Sequence, residues 1–290
     1  MSKRIGITLG DCAGIGPEIV DAAIKSGRLS SDGEYHIIGK YPSCSLGQST
    51  PETARAAAAA LEEAAIMAQR GEIDAVVTGP IHKAHLYEVG FRFPGQTEFF
   101  AARCGVDNFA MILTGKNLTV GLVTTHIPLG QVSGTLKTAE IFRVGLLLAD
   151  FLKHRLTTEP RIAVAGLNPH AGEAGKMGRE EIEIIAPGVE ALNQSLLISH
   201  VSPVFSGPHS PDTVFHRAIG GEFDAVLCMY HDQGLIPFKL QEFDQGVNVT
   251  VGLPFPRTSP DHGTAFDIAG KGLARPDSMI AAINLAVELL

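Results

Sequence analysis

Three short apolar runs in this chain each end close to a histidine. Residues 119–125 (T-V-G-L-V-T-T) precede His126, residues 161–165 (R-I-A-V-A) precede the loop that carries His170, and residues 225–230 (A-V-L-C-M-Y) precede His231. Runs of this length and composition read as buried strands. In an open α/β sheet, ligands bind outside the carboxyl ends of the strands. Three apolar strands, each ending in a histidine, therefore look like one site assembled from three places in the chain. In the loop L-N-P-H-A-G-E (167–173), His170 has a proline before it and a glycine shortly after.

The rest of the chain alternates strand and helix patterns. A strand at 4–9 enters a loop, G-D-C-A-G-I-G-P-E (10–18), in which Pro17 and Glu18 suit the first turn of a helix. Strands are expected at 34–39, 75–78 and 247–251, and helices at 52–69, 138–154, 180–192 and 278–290. Thr97 is expected to cap a helix running to Gly105. Asp212 is expected to cap one running to Ile219, after a loop at 206–212. Residues 257–265 read as a polar loop. Strands at 111–114 and 119–124 are joined by G-K-N, which reads as a tight hairpin. An antiparallel pair inside an alternating β/α chain argues against a simple doubly wound sheet.

At 290 residues the chain is long enough for two lobes. A net charge of −8 argues against nucleic acid or an anionic membrane as the main partner. Four scattered cysteines fit a reduced compartment better than a disulfide framework. No apolar run has the length of a membrane span, and the opening residues lack a signal-peptide pattern. Together these give the expectation of a cytoplasmic protein.

The chemistry-bearing residues fall into groups. His126, His170 and His231 could hold a divalent metal, since three imidazoles leave a coordination position open for substrate. Each could equally be an ordinary hydrogen-bonding loop histidine. Lys239, Asn248 and Arg257 follow His231 and suit an anionic substrate. In H-G-T-A-F-D-I-A-G-K-G (262–272), small residues would let the backbone approach a flat ligand, and Asp267 could accept hydrogen bonds from a ribose diol. The loop at 10–18 could set N–H groups around a phosphate or nicotinamide; the alternative is a tight turn. His82 and His85, at i and i+3, could chelate a metal, but with no third ligand near them they read as capping or solvated residues.

The 262–272 stretch resembles the cofactor loop of the isocitrate/isopropylmalate dehydrogenase group, and 10–18 resembles that group's G-D-G-I-G-P-E. Between them stand T-G-P-I-H-K (78–83), T-T-H-I-P-L (124–129), L-N-P-H-A-G-E (167–173), Y-H-D-Q-G (230–234) and G-V-N-V-T-V-G-L-P-F-P-R-T-S (246–259). These, in this order, resemble the 4-hydroxythreonine-4-phosphate dehydrogenase family of pyridoxal phosphate biosynthesis.

The resemblance implies an α/β fold of the isocitrate/isopropylmalate dehydrogenase type, with two α/β/α lobes and a cleft between them. Residues 1–95 plus 268–290 would form one lobe and 96–267 the other. It implies metal ligands at His126, His170 and His231, with zinc best suited and cobalt, manganese or magnesium as alternatives. It implies substrate contacts at Gln96, Thr97, Lys239, Asn248 and Arg257, and an orienting role for Asp212. NAD or NADP would bind through Gly14, Gly16, His262, Gly263, Thr264, Ala265 and Asp267. A homodimer is implied, with the active site at its interface. The chain departs from the family twice. Gln96 replaces the usual histidine of T-G-H-T-E-F-F, which motivates a four-carbon sugar-acid phosphate as an alternative substrate, and the region between Gly39 and Pro51 is short.

Overall fold

The computed structural model describes residues 2–198 and 205–290. In chain order, β1 (Lys3–Thr8), α1 (Gly16–Lys25), β2 (Gly33–Ile38), α2 (Pro51–Gln69), β3 (Ala75–Thr78), α3 (Lys83–Glu88) and α4 (Gln96–Cys104) come first. They are followed by β4 (Ala110–Thr114), β5 (Thr119–Leu122), α5 (Val132–Thr135), α6 (Thr138–Arg155) and β6 (Ile162–Ala165). Next come α7 (Ala186–Ile198), β7 (Phe205–His209), α8 (Val214–Ile219), β8 (Ala225–Cys228) and α9 (His231–Glu242). The chain closes with β9 (Val247–Val251), β10 (Arg257–Pro260) and α10 (Asp277–Glu288). Two compact units result, one of residues 1–107 with 244–290 and one of residues 108–243.

These bounds differ from the lobe limits expected at 95/96 and 267/268. Helix α4 packs on α2, and the β9–β10 pair joins β3, so both fall in the first unit.

The first unit carries five strands in the order β2-β1-β3-β10-β9. Its core lies between this sheet and α2, whose alanines are the reason the helix can sit close. Ala54, Ala57, Leu61, Ala64, Ala65 and Ala68 recur at helical spacing and are buried. Burying Leu61 alone contributes about 1.5–3 kcal/mol. The helix starts where it does because Thr50 and Thr53 form a reciprocal capping box. Phe91, Phe93, Phe99 and Phe100 extend this core in stacked and edge-on ring contacts.

The polar stretch expected as a loop is strand β10, parallel to β3 and antiparallel to β9. Two of its buried polar side chains find partners: the Thr258 hydroxyl donates to the Ala282 carbonyl at 2.8 Å, and Arg257 reaches Thr78. Thr97 is not a cap. Gly95 occupies that position, and the Thr97 hydroxyl instead bonds Thr250 Oγ1 at 3.0 Å.

The second unit holds β4-β5-β8-β6-β7. The expected hairpin is present, with β4 and β5 antiparallel and Thr114 opposite Thr119. Strands β5, β8 and β6 are mutually parallel and adjacent. Their residues face a core that includes Leu113, Val120, Leu122, Ala163, Ala165, Val226 and Phe238. The first part of the loop expected at 206–212 belongs instead to strand β7, which pairs with β6. Thr213, not Asp212, precedes α8, since the Asp212 carboxylate is taken by the Ser210 hydroxyl at 2.5 Å. Among the described residues, no helix is long and apolar enough to cross a membrane.

Candidate active site

Because β5 and β6 both run parallel to β8, the segments that leave these three strands emerge at one edge of the second unit's sheet. The β5 and β8 exits stay paired beyond the strands. The Val123 N–H donates to the Cys228 carbonyl at 2.9 Å, and the Thr124 hydroxyl donates to the Met229 carbonyl at 2.7 Å. This pairing brings the His126 and His231 rings to 5.7 Å between centroids. Tyr230 N-caps α9, so His231 is its first residue, not the loop residue expected. Its Nδ1 lies 2.7 Å from the Asp232 carboxylate. A proton shared there leaves Nε2 as the free lone pair, the arrangement common in metal-bound histidines. A cleft of about 170 Å³ opens here, lined by Thr125, His126, Tyr230, His231 and Asp232.

The β6 exit is tied to the β8 exit by Gln233, which is only 7% exposed. Its Oε1 accepts the Met229 N–H at 2.7 Å, and its Nε2 donates to the Gly166 carbonyl at 2.7 Å. Beyond Gly166 the chain enters a left-handed turn. His170, Ala171, Gly172, Glu173 and Ala174 all have φ between 46° and 80°. His170 projects from this turn with Nδ1 3.9 Å from Asp212 Oδ2. The Ser210 hydroxyl, and to a lesser degree His170, hold the Asp212 carboxyl below its usual range.

Two imidazoles on one zinc ion place their ring centres roughly 5–6 Å apart, so the His126–His231 spacing suits a shared ion. Among the described residues, no three His, Cys, Asp or Glu side chains gather closely enough to hold a metal within one chain. The structure thus joins His126 to His231, and His170 to Asp212. Lys239 lies eight residues into the same helix as His231, half-buried.

In the first unit, Arg257 is 2% exposed on β10. Its guanidinium donates to Thr78 Oγ1 at 2.5 Å, Gln96 Oε1 at 2.9 Å and Thr250 Oγ1 at 3.2 Å, all neutral acceptors, while Nε has no hydrogen-bond partner. Burial pushes its pKa down to about 9, because a desolvated cation is disfavoured. A buried guanidinium held by neutral groups is suited to an anion. Gln96 is fixed at both ends, with Nε2 donating to the Gly79 carbonyl at 3.2 Å. Thr97 backs this group through Thr250, and Asn248 lies on β9 opposite Ser259.

The two glycine-rich loops at the chain ends meet in the same unit. The Ile15 N–H donates to the Thr264 carbonyl at 2.9 Å, and a Cβ on Gly14 would stand 2.7 Å from that oxygen, so only glycine fits. A Cβ on Gly16 would stand closer still, 1.8 Å from the Leu9 carbonyl oxygen. Both glycines are therefore required by contacts inside the chain. Ala265 has φ 40°, Asp267 and Gly263 are exposed, and His262 Nδ1 lies 3.3 Å from the Gly263 oxygen. The short 41–48 segment covers this region, with the Gly47 N–H on the Ala13 carbonyl at 2.7 Å and the Cys12 and Cys44 sulfurs 3.6 Å apart. All four cysteines are free. His82 caps α3 through the His85 N–H, and both rings lie near Phe266.

Sequence reasoning did not single out Thr78, Thr250, Gln233, Asp232 or Glu181. The motifs Y-H-D-Q-G and T-G-P-I-H-K contain three of them, so the signal was present without a role attached.

The family profile described as "Pyridoxal phosphate biosynthetic protein PdxA" matches residues 17–286. The 4-hydroxythreonine-4-phosphate dehydrogenase of Desulfosudis oleivorans is 43% identical, covering 98% of this chain and 95% of that protein. The D-threonate 4-phosphate dehydrogenase of Pectobacterium atrosepticum is 39% identical over the full length of both. Among solved structures, the 4-hydroxythreonine-4-phosphate dehydrogenase of Klebsiella pneumoniae has a TM-score of 0.80 at 37% identity, covering 99% of each chain. Isocitrate dehydrogenase from Methylococcus capsulatus, at 17% identity and TM-score 0.57, covers 99% of this chain and 83% of its own, and marks the fold as the isocitrate-dehydrogenase type. With the profile spanning nearly the whole chain and full-length relatives near 40% identity, the chain belongs to the PdxA family of pyridoxal phosphate biosynthetic proteins.

Proposed function

We propose that this protein is an NAD(P)-linked, metal-assisted dehydrogenase of 4-phosphooxy-L-threonine, acting in pyridoxal phosphate biosynthesis. The substrate's secondary alcohol loses a hydride to the nicotinamide and its hydroxyl proton. The resulting 2-amino-3-oxo acid loses CO₂ to give 3-amino-2-oxopropyl phosphate. The observation that carries this reading is the adjacency of β5, β8 and β6, which sets three histidine-bearing segments at one sheet edge.

His126, His170 and His231 are the residues that would hold a divalent ion, with zinc the best match to imidazole donors and cobalt, manganese or magnesium as substitutes. Such an ion supplies Lewis acidity toward a substrate oxygen. Asp232 fixes the His231 tautomer. Asp212, ionised at neutral pH, can accept a hydrogen bond from the substrate ammonium. Arg257, Lys239 and Asn248 are assigned to the anionic groups, chiefly phosphate, with Gln96 and Thr97 as further substrate contacts. Gly14, Gly16, His262, Gly263, Thr264, Ala265 and Asp267 are assigned to the nicotinamide cofactor. The protein is proposed to work as a cytoplasmic homodimer with its site at the interface.

Gln96 supports a second reading, D-threonate or erythronate 4-phosphate as substrate, and one full-length relative carries the D-threonate name. Its amide is neutral and locked between Arg257 and Gly79, so it cannot offer the charge a histidine could. A nucleotide-reduction assay with 4-phosphooxy-L-threonine and with the sugar-acid phosphates, each with NAD and NADP, separates the two. Reduction coupled to CO₂ release from the amino acid is expected. Turnover of the sugar acids alone would select the second reading, and no turnover of any would overturn both.

A further inference from the structure

The left-handed turn that carries His170 is an unusual way to present a side chain. Four of its five residues are not glycine, and L-residues avoid this region because Cβ crowds the following carbonyl. Such backbone persists only where its surroundings over-determine it. Bonds within the turn do part of this: residues 169–175 form a hydrogen-bonded 3-10 stretch, the Ala171 N–H reaches the Asn168 carbonyl at 3.1 Å, and the Lys176 and Met177 N–H groups reach the Glu173 and Gly172 carbonyls at 3.2 and 3.1 Å.

A second constraint, from outside the turn, comes from Glu181, at the start of a π-helical turn before α7. It is 3% exposed. Its Oε1 accepts the backbone N–H groups of Leu167 at 2.8 Å and Asn168 at 2.7 Å, and its Oε2 accepts the Asn168 side-chain amide at 3.0 Å. The carboxylate also touches the far arm of the turn. A Cβ on Gly172 would stand 2.6 Å from Oε2, and one on Gly166 would stand 3.2 Å from Oε1. The carboxylate is thus enclosed by the curl of chain on either side of His170. Asn168 is gripped a second time by Glu180 at 2.8 Å. A buried carboxylate costs much to desolvate unless its lone pairs are filled, and here backbone donors fill them.

We propose that Glu181 is a positioning residue for His170: its carboxylate ties down residues 167 and 168 at the entry to the left-handed turn, lies against Gly166 and Gly172 on either side of the histidine, and so fixes where the imidazole stands. The inference rests on the reading of His170 as a metal ligand. Residues that orient a metal-binding histidine commonly change metal affinity about 10–100-fold when removed.

The test is titration of the metal-free full-length protein with Co(II), followed by absorption, alongside thermal melting. The variants are Glu181→Ala, Glu181→Gln, His170→Ala and the double variant with both alanines. Glu181→Ala is expected to bind Co(II) about 10–100-fold more weakly. Glu181→Gln keeps an oxygen for the two backbone N–H groups and loses one side-chain bond, so about 2–12-fold is expected. In the His170→Ala background, Glu181→Ala should add nothing, since its effect runs through the ring.

Wild-type affinity in Glu181→Ala, or an undiminished loss in the double variant, overturns the inference while leaving the metal reading standing. Wild-type affinity in His170→Ala overturns the metal reading and the inference with it. If Glu181→Ala does not fold, Glu181→Gln decides: weakened Co(II) binding at an unchanged melting temperature upholds the inference, and wild-type affinity overturns it.

Discussion

Replacing Ala174 by glycine should stabilise this protein, although the same exchange weakens most ordered segments. Ala174 is exposed, has φ 55° and ends the left-handed turn. No space-filling contact is lost, so the effect reduces to two backbone terms. Left-handed geometry costs an L-residue roughly 1–2 kcal/mol, which glycine avoids. Against this, glycine loses more freedom on folding, roughly 0.5–1 kcal/mol relative to alanine. The difference is a net gain of about 0.5–1 kcal/mol. In a chain of this size that is a rise of about 1–2 °C in the melting temperature. The assay is a thermal melt at fixed protein concentration, with a urea titration to check that the slope is unchanged. Ala22→Gly serves as control: it lies inside α1, is half-buried, and should lose about 0.5–1 kcal/mol. A drop for Ala174→Gly matching the control's would refute the left-handed turn, and with it the need for a clamp at Glu181.

Gln233→Ala should cost about 2–6 kcal/mol, because it strands the Met229 N–H and the Gly166 carbonyl, each at about 1–3 kcal/mol; a urea midpoint within error of wild type would refute the bridge. Arg257→Met keeps the stem and removes the charge, so the phosphate-induced rise in melting temperature expected of the wild-type protein should vanish, and an equal rise in the variant would move the anion site elsewhere. Asp74 is paired with Arg4 through its side chain and backbone, which hold its carboxyl below the usual range. A depressed carboxyl stabilises the fold above its unfolded value of 3.8, and that contribution fades as pH falls below it. The pair is about a third exposed, so Asp74→Asn should cost no more than about 1 kcal/mol at neutral pH and nothing at pH 2; a cost that persists in acid would point to packing instead.

Elements decided by local pattern could be read from the chain, whereas those decided by partners could not. The hairpin of β4 and β5, the alanine face of α2 and the three strand-end histidines rest on apolar spacing and turn chemistry, which sequence displays directly. Strand β10 does not, because R-T-S-P is polar and becomes buried only once Thr78, Thr250 and the Ala282 carbonyl are in place to satisfy it. Strand β7 is hidden in the same way: S-G-P-H carries two turn residues, and only pairing with β6 makes it a strand. The turn at His170 is the extreme case. Histidine, alanine and glutamate all favour right-handed backbone when isolated, so nothing in H-A-G-E-A announces five successive positive φ angles.

Its cause lies eleven residues on, in the string R-E-E-I-E, where three glutamates look alike. Glu183 pairs with Arg179 across one helical turn, and Glu180 bonds Asn168 and its own neighbour's backbone. Glu181 alone of the three is buried, and what buries it is the loop it shapes. Loop and carboxylate each require the other, since Leu167 and Asn168 at the loop's entry supply the donors that make the buried carboxylate tolerable and the carboxylate supplies the acceptors that hold that entry in place. A mutual requirement of that kind has no signature in either segment read separately. It follows that exchanging the 167–175 loop between relatives should succeed only when residue 181 is a glutamate with Asn at 168, and that the imidazole's aim, not the presence of a histidine, is what the loop encodes.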